Sequence, residues 1–354
     1  MPLAPDLGRS SRAECDIVFV CQAGELEQQS ILLAQSIRLF GGRVAPAHLH
    51  AIVPTPEAIY GAVNPATLRF LESLGVEFSY RRNPISDSYQ IANKLNAFTI
   101  PAKTETIVFL DSDIVVLGDF SDLLEHRRAD VLAKVAMRQW PSPLSPGYRV
   151  WERLYAEFGL TLPTRRVVSP ESARCMIPYF NAGVIVSSRS ANLSEWWIRV
   201  ASRLNQMDIP HKYPYLDQVA LPVALSLGNL SWDTLPEDYN FAPGFWLLKK
   251  KLRRVLGRRD WLPLPPTLSN VKVVHYHAYQ ILERTSREDP ELRGKLERLL
   301  DGLPFERDVL TVPTLRSVSR RRSARQPYFF LLGIVLAGRG GKARGQRAGR
   351  STRG

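Results

Sequence analysis

A chain of 354 residues with 45% hydrophobic side chains is long enough to bury a large α/β core. Its three cysteines, Cys15, Cys21 and Cys175, are odd in number and lack a C-x-x-C spacing, which argues against a disulfide framework or a zinc site and implies a reducing compartment. The net charge of +13 is unevenly placed: eleven Lys and Arg and no Asp or Glu follow Leu315, leaving +2 for everything before it. That distribution does not mark the globular part as a nucleic-acid binder. It predicts a disordered, Gly- and Arg-rich tail over 304–354 and a short disordered N-terminus over 1–13 around a single domain, 14–303.

In chain order, 16–21 (Asp-Ile-Val-Phe-Val-Cys) reads as a buried strand, Gln22-Ala23-Gly24 as a turn, and 26–40 as an amphipathic helix stopped by Gly41 and Gly42. A strand at 47–53, a helix at 65–74, a strand at 76–80 and a helix at 89–98 continue the alternation that specifies a mostly parallel sheet flanked by helices. The next strand, Ile107-Val-Phe-Leu110, ends in Asp111-Ser112-Asp113. A short helix through Leu124, a strand at 131–135, a Pro-rich loop at 137–146 and a helix at 150–158 follow. Further on come a strand at 181–186, helices at 195–204 and 219–225, and a strand at 273–277.

Four segments carry chemistry. Carboxylates two residues apart on an extended segment point the same way, so Asp111 and Asp113 can hold Mg²⁺ or Mn²⁺ over a phosphate where strand ends border a crevice. Alternatively one of them caps the following helix and the other is solvated. In Phe180-Asn181-Ala182-Gly183-Val184 the small pair lets a ligand approach the backbone, and the Asn181 amide suits sugar hydroxyls, although the same pattern fits a strand start with a bulge. Asp217-Gln218 opens an apolar helix, where Asp217 could be only an N-cap. Val273-Val274-His275-Tyr276-His277 puts two imidazoles on one face of a strand, an arrangement that serves structure or metal.

Together with Asn93-Lys94-Leu95 and Leu235-Pro236-Glu237-Asp238-Tyr239-Asn240, these motifs in this order resemble the retaining GT-A glycosyltransferases of family 8, the family of glycogenin and the bacterial lipopolysaccharide galactosyltransferases. The resemblance runs from about Cys15 to Tyr279. It implies a Rossmann-like GT-A fold and metal-assisted transfer of a sugar, with retention, from a nucleotide-sugar donor, a UDP-sugar, to a hydroxyl on a glycan, a lipid-linked glycan or a protein. Asp111, Asp113 and His275 would hold Mn²⁺ or Mg²⁺; Lys94, Ser112, Gly183 and Asn240 would line the donor site; Asn181, Asp217 and Gln218 would surround the reacting sugar. Retention requires the acceptor to arrive on the face the leaving group departs from, directly or after a covalent intermediate on a carboxylate such as Asp217.

The family commonly follows its metal histidine with His-Phe-x-Gly-x-x-Lys-Pro-Trp. Here Ala278 replaces the Gly and Ile281-Leu282-Glu283 replace Lys-Pro-Trp, so the Lys near the diphosphate is absent there; Arg284, Lys249, Lys250 and Lys251 are candidate replacements. Other readings are a non-catalytic nucleotide-sugar or carbohydrate binder and a haloacid-dehalogenase-type phosphatase. The latter needs its Asp-x-Asp on a first strand and a later Asp-Asp pair, and neither occurs. A helix over 245–256, with five cations opposite apolar residues, could dock on an anionic membrane, or could simply cover the core with a solvated face. No stretch reaches the ~20 apolar residues needed to span a bilayer, 328–336 included, and no apolar leader is seen, so the expected location is the cytoplasm, peripheral at the inner face of the membrane.

Overall fold

The computed structural model describes residues 14–125, 127–137, 140–141, 147–170, 173, 175–256 and 268–303, with the backbone alone at 147–148, 249 and 251–256. The tail and N-terminus expected at 304–354 and 1–13, the apolar run 328–336 and most of the loop 137–146 lie outside them.

The strands are β1 Asp16–Val20, β2 His48–Thr55, β3 Val76–Arg82, β4 Thr106–Leu110, β5 Ile114–Val116, β6 Val131–Val135, β7 Val167–Val168, β8 Cys175–Met176, β9 Phe180–Ser188, β10 Trp232–Thr234 and β11 Val273–His275. The helices are α1 Glu25–Phe40, α2 Glu57–Tyr60, α3 Pro65–Ser73, α4 Asp122–Glu125, α5 Gly147–Ala156, α6 Leu193–Gln206, α7 Leu216–Leu227, α8 Pro243–Leu256, α9 Tyr279–Ser286 and α10 Pro290–Leu300. A seven-stranded sheet in the order β10-β6-β9-β4-β1-β2-β3 forms the centre, and β11 pairs antiparallel with β5 in a small second sheet. This is the mixed α/β architecture that the alternation of strands and helices predicts.

Strands β1 and β4 are apolar on both faces because both faces are covered. Val18, Val20, Ile107 and Phe109 pack with α6 and α7 residues such as Trp197 and Leu221, while Ile17, Phe19, Val108 and Leu110 pack with Ile31 and Ile37 of α1 and with β5. Burying each such side chain contributes roughly 1.5–3 kcal/mol.

Two elements depart from expectation in ways that shape the site. The helix expected at 89–98 is a 3₁₀ helix, Gln90–Thr99, whose Asn93, Lys94 and Leu95 are all buried. The strand expected at 181–186 is β9, which runs antiparallel to both of its neighbours, β4 and β6. Its N-terminal end therefore lies at the same sheet edge as the C-terminal ends of β1 and β4. Among the described residues no helix is long and apolar enough to cross a membrane.

Candidate active site

The register of β4 with β9, Leu110 opposite Val184, brings the ends of two chemical motifs together. Asp111 N–H donates to the Gly183 carbonyl at 2.8 Å, so the first carboxylate is tied to the start of β9. Asp111, Ser112 and Asp113 do not continue the strand, contrary to the extended geometry expected. They turn the chain from β4 into β5, with Ser112 Oγ donating to the Val20 carbonyl at 2.5 Å. The turn still sends both carboxylates to one place, since His275 Nε2 is 3.0 Å from Asp113 Oδ1 and 3.8 Å from Asp111 Oδ2.

His275 reaches that point at the end of β11, where it pairs with Ile114. Its Nδ1 is 3.2 Å from Asn240 Oδ1, Asn240 Nδ2 donates to Asn181 Oδ1 at 2.8 Å, and Gly183 N–H donates to the same oxygen at 2.9 Å. Assigning the Nδ1 hydrogen to the Asn240 contact leaves Nε2 as the atom turned to the carboxylates. A Cβ on Gly183 would stand 2.4 Å from His275 Cε1, so only glycine leaves room for the ring. Gly183 and Asn240, expected at the donor, thus sit behind His275 and position it.

On the other side Lys94 Nζ lies 2.8 Å from Asp111 Oδ1 and 3.3 Å from Asp217 Oδ2. Burial works against the Lys94 charge, but Asp111 and Asp217 outweigh it and raise its pKa. Burial pushes the Asp111 carboxyl up, Lys94 pulls it down, and Asp113 pushes it up again. For Asp113 burial is outweighed by His275 and His277, which hold it well below the usual carboxylate range. Asp217 does not cap its helix; Tyr215 occupies that position, and Asp217 stands in the first turn of α7, 1% exposed. Its Oδ1 accepts from Tyr89 Oη at 2.8 Å, and its backbone N–H donates to the same oxygen at 3.1 Å.

These groups border a cleft of about 480 Å³, a size suited to a small molecule. Lys94, Asp111, Ser112, Asp113, Asn181, Asp217, Gln218 and His275 all line it. So does His277, the second imidazole of that strand motif, and so do residues that sequence reasoning did not single out as site residues: Gln22, Gln29, Asn93 and Tyr215. Gln22 bridges Gln90 and Asn93, with Gln22 Nε2 donating to Gln90 Oε1 at 3.1 Å and Asn93 Nδ2 to Gln22 Oε1 at 3.2 Å. Asn93 Oδ1 and Gln29 Oε1 are buried without a hydrogen-bond partner among the described residues. The usable signal was position, since Gln22 lies two residues past the end of β1, at the sheet edge that holds Asp111.

The donor chemistry fits a hard or borderline divalent cation: carboxylate oxygens of Asp111 and Asp113 with the oriented imidazole of His275. Asp113, His275 and His277 each offer a ligand atom, all within 4.8 Å of one another. Of the cations considered for the missing Lys, Lys250 pairs with Glu288 at 2.6 Å and lies over Trp246, while the side chains of Lys249 and Lys251 lie outside the described residues.

The Rhodobacterales glycosyltransferase domain matches residues 17–228, more than half of the chain. The chain belongs to this glycosyltransferase family. Lys94, Asp111, Asp113, Asn181, Asp217 and Gln218 fall inside the matched region of this glycosyltransferase, and Asn240, His275 and His277 fall beyond it. Among solved structures it is similar to an active-site mutant of LgtC, at 14% identity and a TM-score of 0.47 over 79% of this chain and 95% of that one. It is also similar to GlyE of Streptococcus pneumoniae TIGR4 (15%, 0.44, 74% and 54%) and mouse xyloside xylosyltransferase 1 (14%, 0.46, 74% and 97%). The family match, not these distant resemblances, carries the assignment. No curated protein matches in sequence.

Proposed function

We propose that this glycosyltransferase moves a sugar from a nucleotide diphosphate donor, a UDP-sugar, to a hydroxyl of a glycan, lipid-linked or protein acceptor, with retention and with the help of Mn²⁺ or Mg²⁺. The observation that carries the reading is the single cleft in which Lys94 bridges Asp111 and Asp217 while His275 faces Asp111 and Asp113 from the opposite side. A cation held by Asp111, Asp113 and His275 would supply Lewis-acid stabilisation of the charge that develops on the departing diphosphate.

The chain's own residues do the rest. Lys94 brings a buried positive charge to the point where the two motifs meet. Asn240 and Gly183 fix the His275 ring, so no reorganisation is needed when charge develops. The partnerless Asn93 and Gln29 oxygens suit the N–H and O–H donors of a nucleoside. Asp217 is held by Tyr89 and Lys94, which favours a fixed electrostatic role beside the sugar over that of a mobile nucleophile.

The test is turnover across a panel of nucleotide sugars with Mn²⁺, following diphosphate release and the anomeric configuration of the product. An absence of both turnover and calorimetric nucleotide binding would sink the proposal. Binding without turnover, unchanged in an Asp111→Ala and Asp113→Ala double variant, would support the non-catalytic binder instead. The proposal extends to a cytoplasmic protein in peripheral contact with an anionic membrane through α8, supported by the free cysteines Cys15, Cys21 and Cys175. Co-sedimentation with anionic vesicles tests the membrane contact.

A further inference from the structure

His277 lies outside the family-matched region, and its backbone is not the extended one expected for 273–277. Strand β11 stops at His275, and His277 adopts φ 59°, the left-handed region that non-glycine residues rarely occupy. That conformation folds its ring back over His275, with centroids 3.9 Å apart and planes inclined at 50°. His277 Nδ1 thereby comes to 3.6 Å from Asp113 Oδ2, the oxygen that His275 leaves free.

Atoms that share one cation at ~2.1 Å are about 3.0 Å apart when at right angles and about 4.2 Å apart when opposed. The two separations that link Asp113 to the imidazoles, 3.0 Å from Oδ1 to His275 Nε2 and 3.6 Å from Oδ2 to His277 Nδ1, lie inside that interval, as does the 3.8 Å from His275 Nε2 to Asp111 Oδ2. The ligand atoms of Asp113, His275 and His277 also lie within 4.8 Å of one another, and the His277 side chain is half exposed towards the cleft.

We infer that His277 is a further ligand of the cation, joining Asp113 and His275 in a cluster of two imidazoles and a carboxylate beside Asp111. This rests on the reading of the cleft as a metal-assisted transferase site. Two nitrogen donors shift the preference from Mg²⁺, which seeks an oxygen shell, towards Mn²⁺, Co²⁺ and Zn²⁺. The geometry thus names the class of cation that the site takes.

The experiment uses the full chain without nucleotide and titrates it with Mn²⁺, and separately with Mg²⁺, in wild type and in His277→Gly. Glycine accepts the left-handed backbone, so the variant loses the imidazole without a conformational penalty. The expected result is Mn²⁺ binding weakened by roughly tenfold or more, Mg²⁺ binding changed by less than about threefold, and pulsed electron-paramagnetic resonance of bound Mn²⁺ showing two histidine nitrogens in wild type and one in the variant. A single nitrogen in wild type, or equal Mn²⁺ affinity in both proteins, overturns the inference. Absence of Mn²⁺ binding to wild type also overturns it, and nucleotide binding and transfer measured in the same preparation then show whether the transferase reading survives.

Discussion

The ammonium of Lys94 stands 2.8 Å from the carboxylate of Asp111, a contact made across 17 residues between the 3₁₀ helix and the end of β4. It joins two of the motifs on which the functional reading depends, and it is largely buried, with the Lys94 side chain 11% and Asp111 20% exposed. A buried pair of this kind is far more costly to break than to replace.

Lys94→Met should therefore lower unfolding free energy by about 3–5 kcal/mol, because it strands Asp111 beside Asp217 and Asp113. Adding Asp111→Asn should recover part of that loss. Urea unfolding of the two single variants and the double variant measures the coupling. A double variant no more stable than Lys94→Met would mean that Lys94 matters through its packing alone.

The pair Asp113 and His275 sets a pH window in the metal-free protein. The pKa of His275 is raised from 6.5, chiefly by Asp113 acting against burial, so its contribution is complete below 6.5 and fades as pH climbs through the higher folded value. Asp113 is lowered from 3.8, so its contribution is present above 3.8 and fades as pH falls through the lower folded value. With a chelator present, the stability difference between wild type and His275→Gln should peak at about pH 4–6.5 and shrink towards pH 8 and above. A difference independent of pH would show that the ion pair does not form.

Gly183→Ala should damage the metal site through sterics. Its Cβ would meet His275 Cε1 at 2.4 Å in a strand too well packed to yield. Expected are a loss of about 1–3 kcal/mol in stability and weaker Mn²⁺ binding. A Gly183→Ala and His275→Ala double variant should be more stable than Gly183→Ala alone, since the clashing ring is gone. Equal stabilities would locate the strain elsewhere.

How much of this is legible in the sequence follows from what a local pattern can encode. β1 and β4 are visible because two-faced burial leaves an uninterrupted apolar run, and the carboxylates at 111 and 113 mark where that run ends. The direction of β9 is not visible, since an apolar run reads the same parallel or antiparallel, yet that direction is what sets Gly183 against Asp111. Asn240 and Gly183 look like ligand contacts in sequence because both stand in motifs. In space the polar chain from Asn181 through Asn240 to His275 occupies them in holding an imidazole. The left-handed turn at His277 has no local signature in a residue that is neither Gly nor Asn.

Tyr89 is the hardest of these to foresee, because its partner lies 128 residues away in the chain. Its hydroxyl accepts from the Asp217 backbone N–H and stands within donating distance of both Asp217 Oδ1, at 2.8 Å, and the Pro214 carbonyl, at 3.0 Å. Burial and the Asp217 charge both push the phenol pKa far up, so it remains a neutral donor across the working pH range. Tyr89→Phe keeps the ring's packing against Tyr213, at 5.2 Å between centroids, while leaving Asp217 Oδ1 and its N–H without that partner. The expected cost is about 1–3 kcal/mol in stability. If Asp217 acts beside the reacting sugar, kcat for sugar transfer should fall by more than KM changes, because a freed carboxylate no longer holds its place as charge develops. Steady-state kinetics of Tyr89→Phe on the donor found by the nucleotide-sugar panel measures this split. A variant that loses stability but keeps kcat would assign Tyr89, and the orientation it imposes on Asp217, to folding alone.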